Sequence, residues 1–160
     1  RPPKELQTRA EPFAAHPHVF VSTPGHPLSK RGRLSVEDLR PYDFIVREPG
    51  SGTRVAMEKF FSEAHVEPRL QMQLHSNETL KQAVMAGLGL GFVSLHTIGL
   101  ELGQGLIAML DVEGAPVVRA WNVVHTQSKM LSPAAEAFRY FMLEQGEKQL
   151  ADQYGQYLPI

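Results

Sequence analysis

Cysteine is missing from all 160 residues, which excludes disulfides and thiolate metal sites and suits a reducing cytoplasm. No apolar run approaches the roughly 18 residues that a membrane-spanning helix needs, so no membrane partner is expected. Excess basic charge is absent too. Against 17 Asp and Glu stand 16 Lys and Arg, giving a net charge of −1 and a pI of about 6.7. Such a balance leaves no electrostatic footprint for nucleic acid or an anionic membrane. Repeats and low-complexity tracts do not occur. What is present is 42% hydrophobic residues, enough to bury the core of one or two lobes without staples. The chain opens on Arg1-Pro2-Pro3-Lys4 without an initiator methionine or signal peptide, and is expected to be a fragment of something longer.

Along the chain, residues 1–17 are polar and proline-spaced and read as a connector. His18 to Ser22 reads as a strand ended by the Thr23-Pro24-Gly25 turn, and residues 26–33 read as loop. Ser35 with Glu37 and Asp38 marks a one-turn helix. Phe44–Val46, a half-exposed Leu70–Leu74, Leu90–Ser94, Leu106–Leu110 and Val117–His125 are expected strands. Helices are expected over Thr53–Ala64, after Ser76, over Thr97–Leu102, and from Ser132-Pro133 to about Gln145. The last should bury Ala134, Phe138, Phe141 and Met142, and the tail from Gly146 should fray. Strand and helix alternate from Phe44 to Leu110, which predicts an α/β fold with a mostly parallel sheet and helices on both faces. Ligands of such sheets sit beyond the carboxyl ends of strands, at helix starts.

Two strand-to-helix junctions fit that description. In Gly50-Ser51-Gly52-Thr53-Arg54, glycines admit a ligand to the backbone, amides at the helix start attract anions, and two hydroxyls add donors. Arg54 could neutralise a carboxylate or phosphate. The same residues equally describe a well-capped helix whose glycines only make the turn. Ser76-Asn77-Glu78 forms the second start, and capping alone accounts for it more readily than ligand contact does.

Several other chemistries drop out. Gly87-Leu88-Gly89-Leu90-Gly91 ends a helix and opens a strand, the reverse of a dinucleotide fingerprint, and reads as a tight helix exit. The first junction lacks a P-loop lysine, and no Gly-x-Ser-x-Gly elbow exists. Seven histidines include His16 and His18 around Pro17, but no Cys, His-Glu-x-x-His or spaced carboxylate joins them. A surface or packing role suits them better than a metal, and no metal or cofactor is expected. Trp121, the lone tryptophan, is read as packing.

The residues quoted above resemble the effector-binding, or substrate-binding, domain of LysR-type transcriptional regulators. His26-Pro27-Leu28, the Gly50–Arg54 turn, Glu67-Pro68-Arg69, Ser76-Asn77-Glu78 through Gly91, and Leu131-Ser132-Pro133-Ala134-Ala135 recur there in this order. Arg1-Pro2-Pro3, His16-Pro17-His18-Val19 and Arg47–Arg54 are similar to the CbbR subgroup, which switches on carbon dioxide-fixation operons. The resemblance implies a two-lobed, periplasmic-binding-protein-like (type 2) fold with an effector in an interlobe cleft. Residues 1–25 would end lobe I and form a hinge strand, 26–120 would make effector-binding lobe II, and 121–160 would return to lobe I. Lobe I would be incomplete, with an exposed apolar face.

An effector domain without catalytic machinery follows from the resemblance, acting in the cytoplasm. It would bind a small anionic metabolite at Ser51, Gly52, Thr53, Arg54, Ser76, Asn77 and Glu78. A phosphorylated sugar, phosphoenolpyruvate or NADPH would suit that site. Promoter DNA would be reached only through a helix-turn-helix outside this stretch, in a homodimeric or homotetrameric parent protein. Two other classes share the scaffold. One is the solute-binding lobe of a transporter. The other is a small enzyme, for which the junctions offer only Glu48 and Glu78 as acid or base.

Overall fold

Phe20 sits within the apolar core cluster, on a strand with neighbours on both sides in the sheet. A computed structural model describes residues 7–157. The strands are β1 (Thr8–Ser22), β2 (Asp43–Arg47), β3 (Arg69–Leu74), β4 (Leu90–Ser94), β5 (Ala108–Leu110) and β6 (Val117–Thr126). The helices are α1 (Gly52–Glu63), α2 (Asn77–Met85), α3 (Gly99–Gly103) and α4 (Pro133–Tyr154). The strands make a six-stranded sheet in the order β3-β2-β4-β1-β5, with β6 also paired to β1. Strand β2 runs parallel to β3 and β4, whereas β1 is antiparallel to β4 and β5. The sheet is therefore mixed, with the parallel part where strand and helix alternate in sequence.

Alternation along the strands sends successive side chains to opposite faces. Phe20, Phe44, Leu90 and Phe92 meet Ala56, Met57 and Phe61 of α1 on one face. Gly91 faces the other way, where a Cβ would meet Leu80 and Val84 of α2 and Val21 of β1. One helix thus covers each face, as the pattern predicts.

The chain divides into two compact units. Pro17–Val118 form one, and the remaining described residues, up to His16 and from Arg119 onward, form the other.

Several expectations need correction. The connector expected over residues 1–17 is strand from Thr8 onward, while residues 1–6 lie outside the described residues. Between Thr8 and His16 only Ala14 is buried, so the segment carries little apolar signal. Pro27–Lys30, expected as loop, is a 3-10 turn that buries Leu28, and the His26 ring nitrogen Nδ1 accepts from its amide at 3.2 Å. The one-turn helix at Val36–Leu39 forms as expected: Asp38 Oδ2 accepts from both the amide and hydroxyl of Ser35 at 2.8 Å.

Helix α4 departs furthest, running to Tyr154. Gly146, read as the start of a frayed tail, stays inside the helix because Phe13 fills its place; a Cβ there would lie 2.7 Å from Phe13 Cδ2. The buried residues of α4 are Arg139 and Gly146, one face at a seven-residue interval, not the expected apolar line. Arg139 is drawn inward by Glu11, its Nε and Nη2 each donating at 2.6 Å. That phase leaves Ala134 exposed, Phe138 61% exposed, Phe141 49% exposed and Met142 half-buried. Trp121 is 41% exposed and stacks on His16 with ring centroids 4.1 Å apart. An apolar face is therefore open in this unit among the described residues.

Candidate functional site

Arg47 ends β2 opposite Leu74 of β3, so the turns that follow these parallel strands lie side by side. The Glu48 amide donates to the Leu74 carbonyl at 3.1 Å, and the Ser51 amide donates to the Glu48 carbonyl at 3.2 Å. Gly50 turns the chain at a φ of +88°, which a side chain would strain. Helix α1 then begins at Gly52.

The two helix starts differ in how they are capped. Ser51 has extended N-cap geometry, yet its side chain makes no capping hydrogen bond. Ser76 caps α2 fully, its hydroxyl accepting from the amides of Glu78 at 3.1 Å and Thr79 at 3.4 Å. Capping is thus what Ser76 does in this structure, and Glu78 pairs with Lys81 Nζ at 2.9 Å.

Arg47 joins the starts. Its Nε and Nη2 donate to the two Glu48 carboxylate oxygens at 2.8 and 2.9 Å, and Nη1 donates to Asn77 Oδ1. Arg54 lies close by with its charge already matched. Its Nε meets Glu58 Oε1 at 2.5 Å, and Nη1 donates to the Arg47 carbonyl at 3.1 Å. Thr53 Oγ1 lies 3.5 Å from Nε2 of His18, which is fully buried and stacked on Phe92. Arg47 thus links Asn77 to the turn that opens α1, while Thr53 meets His18, Arg54 pairs with Glu58, and Ser76 and Glu78 are turned to capping and pairing.

Sequence reasoning missed Arg47, His18 and Lys81. Arg47 had a signal: it closes an apolar strand just before a glycine turn. His18 was visible as a polar residue in a β-branched run. Lys81 gave none, since a lysine on a helix ordinarily faces water. It is buried here, donating to the Thr97 carbonyl at 3.0 Å and to Glu101 at 2.6 Å. Burial alone would lower its pKa, but the hydrogen bonds to Glu101 and Glu78 outweigh that and raise it.

The hydrogen-bonded Arg47 fork, helped by a backbone amide, holds the Glu48 carboxyl down at about 2. Lys81 and Gln82 likewise hold Glu78 below the usual range. A depressed carboxylate stabilises the fold above its unfolded value and loses that contribution as pH falls through the folded one. Stability should therefore decline as pH falls from the ordinary carboxylate range toward about 2, and Glu48→Gln should flatten that decline. Urea midpoints measured across this window check it. Equal slopes in both proteins would exclude the Glu48 pair as a source. Both carboxylates stay ionised near neutrality, the wrong state for a general acid there.

The family model for the LysR substrate binding domain matches residues 1–147. The chain belongs to the LysR substrate-binding domain family. Relatives of this LysR domain are transcriptional regulators, not enzymes. It is 49% identical to the HTH-type transcriptional regulator CfxR of Cupriavidus necator over 159 residues, 99% of this chain and 50% of CfxR. It is 46% identical to the HTH-type transcriptional regulator CbbR of Xanthobacter flavus, over 91% of this chain and 44% of CbbR. The chain therefore spans about half the length of the curated relatives it matches. Among solved structures, the regulatory domain of Synechocystis PCC6803 CcmR in complex with 2-PG has a TM-score of 0.81 at 33% identity, covering 89% of this chain and 69% of that one. The QuiR effector binding domain in complex with shikimate matches at a TM-score of 0.78 and 21% identity, over 91% of this chain and 68% of that one, a likeness of fold. The LysR domain thus has the type of fold and the regulator kinship that its motifs imply. Among the described residues no helix is long and apolar enough to cross a membrane.

Proposed function

We propose that this LysR domain senses a small anionic metabolite at the adjoining starts of α1 and α2. By doing so it would control transcription, by its parent protein, of genes for carbon dioxide fixation. The observation that carries the reading is the kinship with CcmR, whose regulatory domain was solved with 2-PG and shares 33% of its residues over most of this chain. CfxR and CbbR support the choice of target genes. The geometry suits such a ligand: amides at helix starts favour negative charge, and Ser51, Thr53 and Asn77 offer hydroxyl and amide donors. Binding without turnover would shift the population between conformations, and subunits of a homodimer or homotetramer would carry that shift to promoter DNA. DNA contact belongs to a helix-turn-helix outside this stretch, and the protein works in the cytoplasm.

Titration calorimetry of the full-length protein with 2-PG, phosphoenolpyruvate, ribulose bisphosphate and NADPH tests the reading. One of them is expected to bind. Thr53→Val should weaken that binding about tenfold, the worth of one well-placed hydroxyl. Silence from every compound, or unchanged affinity in the variant, would remove this site.

A further inference from the structure

We propose that Arg47 is a positioning residue that sets which chemical face Asn77 presents and ties the start of α2 to the turn opening α1. The proposal rests on the anion-sensing reading for its role in binding, but its structural half stands apart from that reading.

The chemistry is one-sided. A guanidinium has five N–H donors and no acceptor, so only the carbonyl oxygen of Asn77 can face it. Arg47 Nη1 holds that oxygen while Nε and Nη2 hold Glu48 at 2.8 and 2.9 Å. With Oδ1 taken, Asn77 has its amide N–H2 left for other partners. An anion requires donors, and an unconstrained Asn could turn its oxygen toward it and repel it. The side chain of Arg47 is only 16% exposed, and its charge is matched by Glu48, so it acts through Asn77 and not as the counter-charge. Arg54 is matched in the same way by Glu58. Lysine cannot replace Arg47, because a single ammonium cannot fork Glu48 and reach Asn77 in one fixed plane.

The test uses the full-length protein and the variants Arg47→Gln, Arg47→Lys and Asn77→Asp. Amide hydrogen exchange over residues 77–80 reads the tie without any ligand. In Arg47→Gln and Arg47→Lys it should quicken about tenfold, with the amides of α4 unchanged. Asn77→Asp keeps an acceptor for Arg47 and should leave exchange slow. Phosphoenolpyruvate affinity reads the second half: Arg47→Gln, Arg47→Lys and Asn77→Asp should all bind about tenfold more weakly. Wild-type exchange in Arg47→Gln, or full rescue by Arg47→Lys, overturns the proposal. If the unaltered protein does not bind phosphoenolpyruvate, that choice of anion fails while exchange still decides the tie.

Discussion

Phe20→Ala is expected to remove about 4 kcal/mol of folding stability, the middle of the range for deleting a buried aromatic. Phe20 is fully buried, and its ring meets those of Phe92 at 4.9 Å, Phe60 at 5.1 Å, Phe61 at 5.7 Å and Phe44 at 6.1 Å between centroids. These neighbours come from β2, β4 and α1, and two of the strands are hydrogen-bonded into the sheet, so the hole cannot close by a local shift. Tilted and edge-on ring pairs add to the loss beyond the area buried. Ordinary domains hold only about 5–15 kcal/mol in reserve, so this one change consumes much of it. Urea denaturation should show a large fall in midpoint with an unchanged slope. Phe20→Leu should lose far less. A cost for the alanine variant below about 1 kcal/mol would mean the aromatic cluster is not the structural centre of this unit.

Gly89→Ala comes second, at about 3 kcal/mol, as expected for forced overpacking. A Cβ there would stand 2.7 Å from the Asp43 carbonyl oxygen, which is backbone, and 3.3 Å from Ile45 Cγ1. Strand β2 cannot retreat, because β3 and β4 hold it from both sides. Gly91→Ala offers the comparison. Its Cβ would come within 2.8 Å of Val84 Cγ2 and 3.1 Å of Leu80 Cδ2, side-chain atoms that can give way. The Gly89 variant should therefore melt at the lower temperature of the two. The reverse order would show that side-chain crowding, not backbone approach, limits this corner.

The same glycines show how much of the structure was legible. Their spacing announced a tight passage from α2 to β4, but each serves a different need. Gly87 adopts a φ of +77°, Gly89 admits a carbonyl, and Gly91 admits the side chains of α2. Spacing alone cannot separate these, since all three needs select for the absence of a Cβ. Elements with strong local signals, such as the Ser132-Pro133 helix start and the Phe44–Val46 strand, were readable because capping and β-branching act within a few residues. Thr8–Ala15 was not, because a mostly exposed strand with one small buried residue differs little from an extended linker. The inward phase of α4 was hidden for another reason: it is set by Glu11, far away in sequence, which draws an arginine inward and leaves the phenylalanines outside. At the candidate site, both helix starts were legible as chemistry. Which arginine joins them was not, because the place of Arg47 at the close of an apolar strand does not say that its side chain reaches Asn77, thirty residues on.

Strand β3 lies at one border of the sheet, paired with β2 alone in the strand order. Its side chains, Arg69-Leu70-Gln71-Met72-Gln73-Leu74, are mostly exposed, and Arg69 pins the strand's first residue to Asp43 at 3.0 Å and to the Pro41 carbonyl at 3.0 Å. A border with a clamped, charged end and interleaved glutamines gives a neighbouring molecule little flat greasy surface to zip onto. The rim that five residue pairs fasten to β2 is thereby a poor template for the addition of a further strand.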